Sequence, residues 1–239
     1  MFLSTLTFYF LSKLLEGFTV SYLKPYGGNY FAFVLIGIAF FSYLGVSVQE
    51  LSKTIREGQM LGTLEALLVS QTGIPTIILS STLYGFIWAS LKVIVYMMLG
   101  VFIFGVNLEK ANIPGAFLIL LLTISSFMSL GIISASFIMV FKKGDPTGDI
   151  FIRISGIPGG LYYPISVLPE WLQVLSYILP ITYALEGMRL SLLQGYSLSA
   201  LMPNILALSM FSLVMLPLSL VIFSYAVKRA KKDGTLTQY

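Results

Sequence analysis

The amino-acid sequence contains no histidine and no cysteine among its 239 residues. Without histidine, the chain lacks the usual general base of serine and cysteine hydrolases, and it lacks the imidazole ligand of zinc and haem sites. Without cysteine, it has no disulfides and no thiolate metal ligands, and its redox compartment cannot be inferred from this residue type. These classes of side-chain chemistry are therefore excluded for this chain.

Charged residues are also scarce. They make up 10% of the chain, whereas apolar residues make up 57%, and the mean hydropathy is +0.91. A soluble domain has roughly 25% charged and about 45–50% apolar residues. Because so few charges cannot cover a water-exposed surface, we predict a membrane protein. At about 20 residues per transmembrane helix, the length fits six spans with short connections.

The apolar segments predict an all-α, polytopic membrane protein whose single transmembrane domain covers residues 1–239. The six predicted spans are residues 1–18, 30–48, 74–104, 113–141, 150–167 and 204–227. The first could instead be a signal peptide, but it lacks a basic start and a small-residue cleavage site, which favours a span. The fifth is interrupted by glycine and proline, so we do not expect a straight helix there.

Residues 157–195 predict a re-entrant or interfacial helix pair near the outer face of the membrane. The two pieces, residues 169–179 and 181–194, are separated by proline and are each shorter than the roughly 17 residues that a span requires. Irregular backbone within a membrane is tolerated only where protein or water satisfies its polar groups.

Basic residues predict the orientation of the chain. The segments assigned to the cytoplasm contain eight of them, whereas the opposite side has only Lys24, Lys110 and Arg189. The eight are Lys53, Arg56, Lys142, Lys143, Lys228, Arg229, Lys231 and Lys232. By the positive-inside rule, both termini lie in the cytoplasm, including the tail at residues 228–239. The net charge of +4 therefore indicates topology and contact with anionic lipid headgroups, not nucleic-acid binding.

The predicted cytoplasmic segment at residues 49–71 has apolar residues at helical spacing with charges between them. Gly58 and Gly62 divide it into two pieces. Periodicity alone leaves two interpretations equally open: an interfacial helix on the inner leaflet, or an element that docks a cytoplasmic partner.

Two separate motifs stand far apart in this sequence. The first is the run GTLEALL at residues 62–68, preceded by Arg56 and Glu57. The second begins at GLYYPISVLPEWL, residues 160–172, continues with LPITYA at residues 179–184 and ends with EGMR at residues 186–189. Both motifs resemble those of ABC-type-2 exporter permeases. They occur in that family's order, and the resemblance covers nearly the whole chain. The family usually has an amphipathic elbow helix before its first span, and we expect that this helix is absent or precedes the numbered start.

The resemblance implies a half-transporter. It is expected to pair with a second permease copy as a homodimer in the plasma or inner membrane, and to contact two copies of a separate ABC ATP-binding subunit. The implied ATPase-coupling residues are Arg56, Glu57, Gly62, Thr63, Leu64, Glu65, Leu67 and Leu68. The implied outer re-entrant residues are Pro158, Gly159, Gly160, Pro164, Leu168, Pro169, Leu179, Pro180, Tyr183 and Arg189. The sequence has no G-x-x-x-x-G-K-[ST] phosphate loop, so ATP and Mg²⁺ are expected in the partner subunit, with no cofactor bound by this chain.

Lys92 stands near the middle of the third predicted span. A charge at this depth costs about 2.5–3.5 kcal/mol on insertion scales, and such residues usually face a bundle interior or a water-filled path. We expect Lys92 to line the translocation path, and an interhelical hydrogen bond is the equally weighted alternative.

The predicted function is export of an amphiphilic or hydrophobic substrate such as a drug, a lipid or a lipid-linked glycan. A passive channel or a structural membrane subunit would explain six spans but not the two motifs. An intramembrane enzyme is disfavoured further, because a catalytic serine would have only Lys92 as its base within the membrane.

Overall fold

The computed structural model describes residues 2–14, 20–64, 74–141 and 146–232. These residues form helices and turns, and no strand occurs among them. The helices are α1 (Phe2–Leu14), α2 (Val20–Leu23), α3 (Tyr30–Met60), α4 (Ile74–Met98), α5 (Ile113–Phe141), α6 (Pro146–Gly156), α7 (Glu170–Ile178), α8 (Pro180–Gln194) and α9 (Met202–Lys232). A π-helical turn at Leu99–Ile103 extends α4, and 3-10 turns lie at Lys24–Tyr26 and Ile165–Val167.

Within the described part of the chain, four helices are long and apolar enough to cross a membrane. They are Tyr30–Met60, Thr76–Ile103, Ile113–Phe141 and Met202–Lys232. They correspond to the second, third, fourth and sixth predicted spans. The first predicted span includes α1 and residues outside the described ranges, and α6 ends at Gly156 within the fifth. The count of six spans therefore stays a prediction.

Helix α3 is longer than the uncharged segment that predicts it. It continues for twelve residues beyond residue 48, because Leu51 and Ile55 lie on one face and are fully buried. Gly58 lies inside this helix, so the expectation that Gly58 breaks the segment is wrong. Among the described residues of this segment, the helix ends at the Gly62 turn.

Contacts within the chain define two compact units. The first unit comprises residues 1–42, 90–123 and 154–210, and the second comprises residues 43–89, 124–153 and 211–239. The core of the first unit is rich in aromatic residues. The Phe104 ring lies 5.0 Å from that of Phe31 and 4.8 Å from that of Tyr9, which places α1, α3 and the end of α4 against one another.

The second unit has a largely aliphatic core made by α3, the turn that follows it, α4, α5 and α9. Its buried members are Leu51, Ile55, Leu64, Ile77, Ile78, Ile132, Ala135, Ile138, Met139, Phe223, Ala226, Val227 and Ala230. Helices α3 and α5 lie very close together at Gly131, where an added Cβ would lie 1.8 Å from the carbonyl oxygen of Ser47. Only glycine permits this crossing.

Candidate functional site

The predicted ATPase-coupling segment starts at a glycine turn that ends α3. The amide of Gly62 donates to the Gln59 carbonyl at 3.4 Å, and the amide of Thr63 donates to the Gly58 carbonyl at 3.0 Å. Gly62 has a φ of +68°, so the pair of bonds is a Schellman motif with glycine in the left-handed position. The first two residues of the GTLEALL run therefore form this turn, which reverses the chain before Leu64.

Leu64 fixes the reversed chain against α3. Its side chain is 1% exposed and belongs to the core of the second unit. An added Cβ on Gly58 would lie 3.3 Å from the Leu64 Cβ, so the small residue makes room for this contact. The other coupling residues, Glu65, Leu67 and Leu68, lie outside the described residues.

The end of α3 exposes a mixed apolar and charged surface. Met60 and Leu61 are 63% and 76% exposed, and Arg56 and Glu57 are exposed one turn earlier. Glu57 pairs with Lys53 at 3.9 Å, and both side chains are mostly exposed, so this pair adds only about 0.3–0.5 kcal/mol. Two large apolar side chains beside charges suit contact with another protein more than contact with water.

The predicted outer segment is organised around Arg189 of α8, in the first unit. The guanidinium donates to three backbone carbonyls, those of Phe33 at 3.1 Å, Gly160 at 2.8 Å and Leu161 at 2.9 Å. It also lies 3.5 Å from the centroid of the Phe33 ring, in cation–π geometry. We call this set the Arg189 clamp. The clamp joins α8 both to α3 and to the turn that follows α6.

Glycine residues make the clamp possible. An added Cβ on Gly37 of α3 would lie 2.5 Å from the Leu161 carbonyl oxygen and 2.6 Å from Nη2 of Arg189. Gly160 has a φ of +73°, a backbone conformation that side chains rarely adopt. Burial lowers the pKa of Arg189 to about 9, which leaves the guanidinium protonated and able to donate at neutral pH.

Asn204 at the start of α9 connects to the same helix. Its amide nitrogen donates to the Tyr183 carbonyl at 3.1 Å and reaches Oε2 of Glu186 at 3.4 Å. Burial raises the pKa of Glu186, and the hydrogen bond from Asn204 opposes this shift. The phenol of Tyr183 donates to the Tyr177 carbonyl at 2.9 Å, which ties α8 back to α7.

The loop before α5 is bonded to the other end of α8. The backbone amide of Asn112 donates to the Ser191 carbonyl at 2.9 Å, and the Ser191 hydroxyl donates to the backbone carbonyl of Asn112 at 2.7 Å. Beyond the helix, an added Cβ on Gly195 would lie 2.0 Å from the Lys110 carbonyl oxygen, and Gly195 has a φ of +66°. Glycine is required there both as the helix cap and for the close approach.

The remaining predicted outer residues mark turns. Pro158 and Gly159 lie in the buried turn after α6, Pro164 precedes a 3-10 turn, and Leu168 and Pro169 lead into α7. The break at Leu179 and Pro180 separates α7 from α8, and the Thr182 hydroxyl closes it by donating to the Ser176 carbonyl at 2.6 Å. Two short helices in this segment are thus confirmed, whereas their re-entrant placement stays a prediction.

Lys92 lies in α4 with an exposed side chain. Within a single chain it is therefore outside the helical bundle, and its place in a translocation path stays a prediction. No group of three or more acidic side chains converges on a metal-sized site in the described residues. Sequence reasoning missed Gly37, Asn112 and Asn204. Of these, only Asn112 carries a sequence signal, as an asparagine just before an apolar helix.

The helices and their apolar surfaces define a multi-pass membrane protein. More specifically, the chain belongs to the ABC-2 type transporter family, whose family model matches residues 1–193. The match includes both motifs and ends within α8. No curated protein matches the chain. The membrane domain of this family is a transport subunit, not itself an ATPase, and normally works with an ATP-binding subunit.

Proposed function

We propose that the chain is the permease subunit of an ATP-driven exporter. It moves an amphiphilic or hydrophobic substrate, such as a drug, a lipid or a lipid-linked glycan, out of the cytoplasm or the inner leaflet. The observation that carries the proposal is the exposed end of α3 beside the Gly62 turn, where Met60 and Leu61 present apolar surface next to charged residues. This surface adjoins the GTLEALL run that resembles the family's coupling segment.

The coupling mechanism follows from the way α3 ends. The Schellman turn at Gly62 and the buried Leu64 hold residues 61–64 folded back against the end of α3. An ATP-binding subunit that seats on Leu61 and the following run would therefore displace α3 itself. ATP and Mg²⁺ bind in that subunit, of which two copies serve a permease homodimer in the plasma or inner membrane, with both termini of each chain in the cytoplasm.

The exposed apolar faces of two membrane helices are consistent with pairing to a second permease copy. The apolar windows of α3, α4 and α9 are 72%, 28% and 11% buried within the chain. Helices α4 and α9 therefore have broad apolar faces available to lipid and to another copy. Lys92 lies on the exposed side of α4, where a path between copies would neutralise or hydrate its charge.

The helix pair α7–α8 is proposed to lie near the outer leaflet at the exit of the path. Trp171 and Tyr177 of α7 are 73% and 54% exposed, as suits side chains at a membrane interface. The Arg189 clamp holds α8 in place behind them. Residues of this pair would meet the substrate as it leaves.

The coupling role is tested with Leu61→Asp, measured as ATP-dependent extrusion and as retention of the ATP-binding subunit on purification. Loss of an interface anchor costs roughly 2 kcal/mol or more, so we expect at least a tenfold loss in both readouts. Phe141→Asp is the matched control, because Phe141 is also an exposed apolar residue at the predicted cytoplasmic end of a helix. Full coupling in Leu61→Asp, or substrate flux without ATP, would contradict the proposal, and the latter would favour a passive channel.

Lys92→Met tests the pathway role separately. The side chain is exposed, so folding should be unaffected, and we expect a loss of transport with wild-type thermal stability. Normal transport by Lys92→Met would remove Lys92 from the path. Lys24→Met changes an exposed lysine outside the spanning helices and serves as the control.

A further inference from the structure

A cleft in the second unit carries charges of both signs and shares Arg56 with the proposed coupling surface. It has a volume of about 210 Å³ and is lined by Gln49, Ser52, Lys53, Arg56, Ile138 and Asp149. Lys53 and Arg56 come from α3 and Asp149 comes from α6, and all three side chains are exposed. The Gln49 amide donates to Oδ1 of Asp149 at 3.1 Å, so the two walls of the cleft are bonded together.

Ser52 gives this cleft an unmet hydrogen-bonding group. Its side chain is 2% exposed, and its hydroxyl finds no hydrogen-bond partner among the residues that the structure describes. The hydroxyl of a serine or threonine within a helix commonly donates a hydrogen bond to the backbone carbonyl one turn earlier. Thr54 does so by donating to the Glu50 carbonyl at 3.0 Å. A buried hydroxyl without a partner carries a desolvation penalty that a ligand oxygen in the cleft would relieve.

An apolar cleft adjoins the charged one. It has a volume of about 190 Å³ and is lined by Val48, Leu130, Ile133, Ser134, Phe137, Gly148 and Phe151. Its residues Val48, Phe137 and Gly148 directly precede Gln49, Ile138 and Asp149 of the charged cleft along the same three helices. An apolar cleft whose lining residues neighbour those of a charged cleft suits a molecule with a hydrocarbon chain and a polar head.

We propose that these two clefts bind one phospholipid whose headgroup carries a primary ammonium beside its phosphate. The phosphate accepts hydrogen bonds from Ser52, Lys53 and Arg56, the ammonium pairs with Asp149, and the first part of an acyl chain occupies the apolar cleft. Cations suit the phosphate, and the carboxylate on the opposite wall disfavours a headgroup with a net negative charge. The site lies at the predicted cytoplasmic end of α3, and the lipid is a bound ligand independent of the transported substrate.

The charges around the cleft are consistent with a zwitterion. Glu57, one turn beyond Lys53, pairs with it at 3.9 Å, so the cation excess at the cleft is small. Arg153 follows Asp149 by one turn of α6 and is exposed, which places a third cation on the same helical face. In and around the cleft there are thus three cations and two carboxylates, so both charges of a zwitterionic headgroup have partners of opposite sign.

The test is native mass spectrometry of the full chain in a neutral detergent, titrated with dioleoyl lipids. Phosphatidylethanolamine should bind more tightly than phosphatidylcholine, which lacks ammonium N–H donors, and more tightly than anionic phosphatidylglycerol. Lys53→Gln should weaken phosphatidylethanolamine binding about fivefold, and Ser52→Ala should weaken it by about tenfold. Asp149→Asn should abolish the preference for phosphatidylethanolamine over phosphatidylglycerol. Lys24→Gln, in the first unit, should leave binding unchanged.

Two further binding measurements distinguish a lipid headgroup from a free phosphate compound as the ligand. Inorganic phosphate and glycerophosphoethanolamine, which lack acyl chains, should bind at least tenfold more weakly than the lipid. Equal binding by inorganic phosphate would indicate a free-phosphate site and overturn the proposal. Equal binding of the three lipids, or binding that Ser52→Ala and Lys53→Gln leave unchanged, would overturn it as well. Because no arm measures transport, failure here is distinguishable from failure of the exporter function.

Discussion

Replacing Arg189 with methionine should destabilise the chain more than any substitution of an exposed cation. Methionine retains the apolar stem of the side chain and removes three hydrogen bonds, which leaves the Gly160 and Leu161 carbonyls of a buried turn without their donor. Each unsatisfied buried acceptor costs about 1–3 kcal/mol. The Phe33 carbonyl lies within α3 and contributes less, because it keeps its place in the helix.

Removal of the guanidinium also ends the cost of burying a charge, which offsets part of this loss. The net decrease in the free energy of unfolding should be about 2–4 kcal/mol. For a chain of this length, 1 kcal/mol shifts the midpoint of thermal unfolding by roughly 2–4 °C. We therefore expect Arg189→Met to lower the midpoint by at least about 4 °C.

The assay is thermal unfolding in detergent, followed by size-exclusion chromatography of the protein that remains folded. Arg153→Met is the matched control, since Arg153 is exposed on α6 and should change stability by no more than about 0.5 kcal/mol. Arg189→Lys should fall between wild type and methionine, because an ammonium cannot span three carbonyls as the guanidinium does. A midpoint for Arg189→Met equal to that of the control would refute the clamp as a stabilising element.

Two other substitutions test the packing and the electrostatics. Gly131→Ala should destabilise by about 1–3 kcal/mol, because its Cβ would meet the Ser47 carbonyl at 1.8 Å. Gly45→Ala, in open space within α3, should instead stabilise by up to about 1 kcal/mol, and equal thermal midpoints would contradict both expectations. Because burial raises the pKa of Glu186, stability should fall as pH rises from the ordinary value of 4.5 through the raised one. Glu186→Gln should flatten this slope, and an unchanged slope would exclude Glu186 as its source.

The long helices and the helix pair were predictable because they depend on local patterns. Apolar runs of span length, uncharged except for Lys92 in α4, predict α5 and most of α3, α4 and α9. The limits of α7 and α8 follow from Pro169, Pro180 and Gly195, since proline suits the first turn of a helix and glycine its end. These residues act through their own backbone angles, so no knowledge of the tertiary structure was needed.

The tertiary contacts were not predictable, because they join positions far apart in the chain. Gly37 and Gly131 look alike in the sequence, and only the structure shows that one admits a carbonyl from a turn and the other a carbonyl from α3. Arg189 was identified by resemblance to the family motif, but its three acceptors lie 28 to 156 residues away. Ser52 has no sequence signal, since its unpaired hydroxyl depends on its neighbours.

The contacts of α8 bear on how the outer helix pair moves during transport. Within the first unit, this one helix bonds to α3 and the turn after α6 through Arg189, to the loop before α5 through Ser191, and to α9 through Asn204. An independent lid needs few buried contacts to its surroundings, whereas α8 is bonded to four separate chain segments. If the α7–α8 pair lies at the exit of the path, opening must therefore move these segments together with α8.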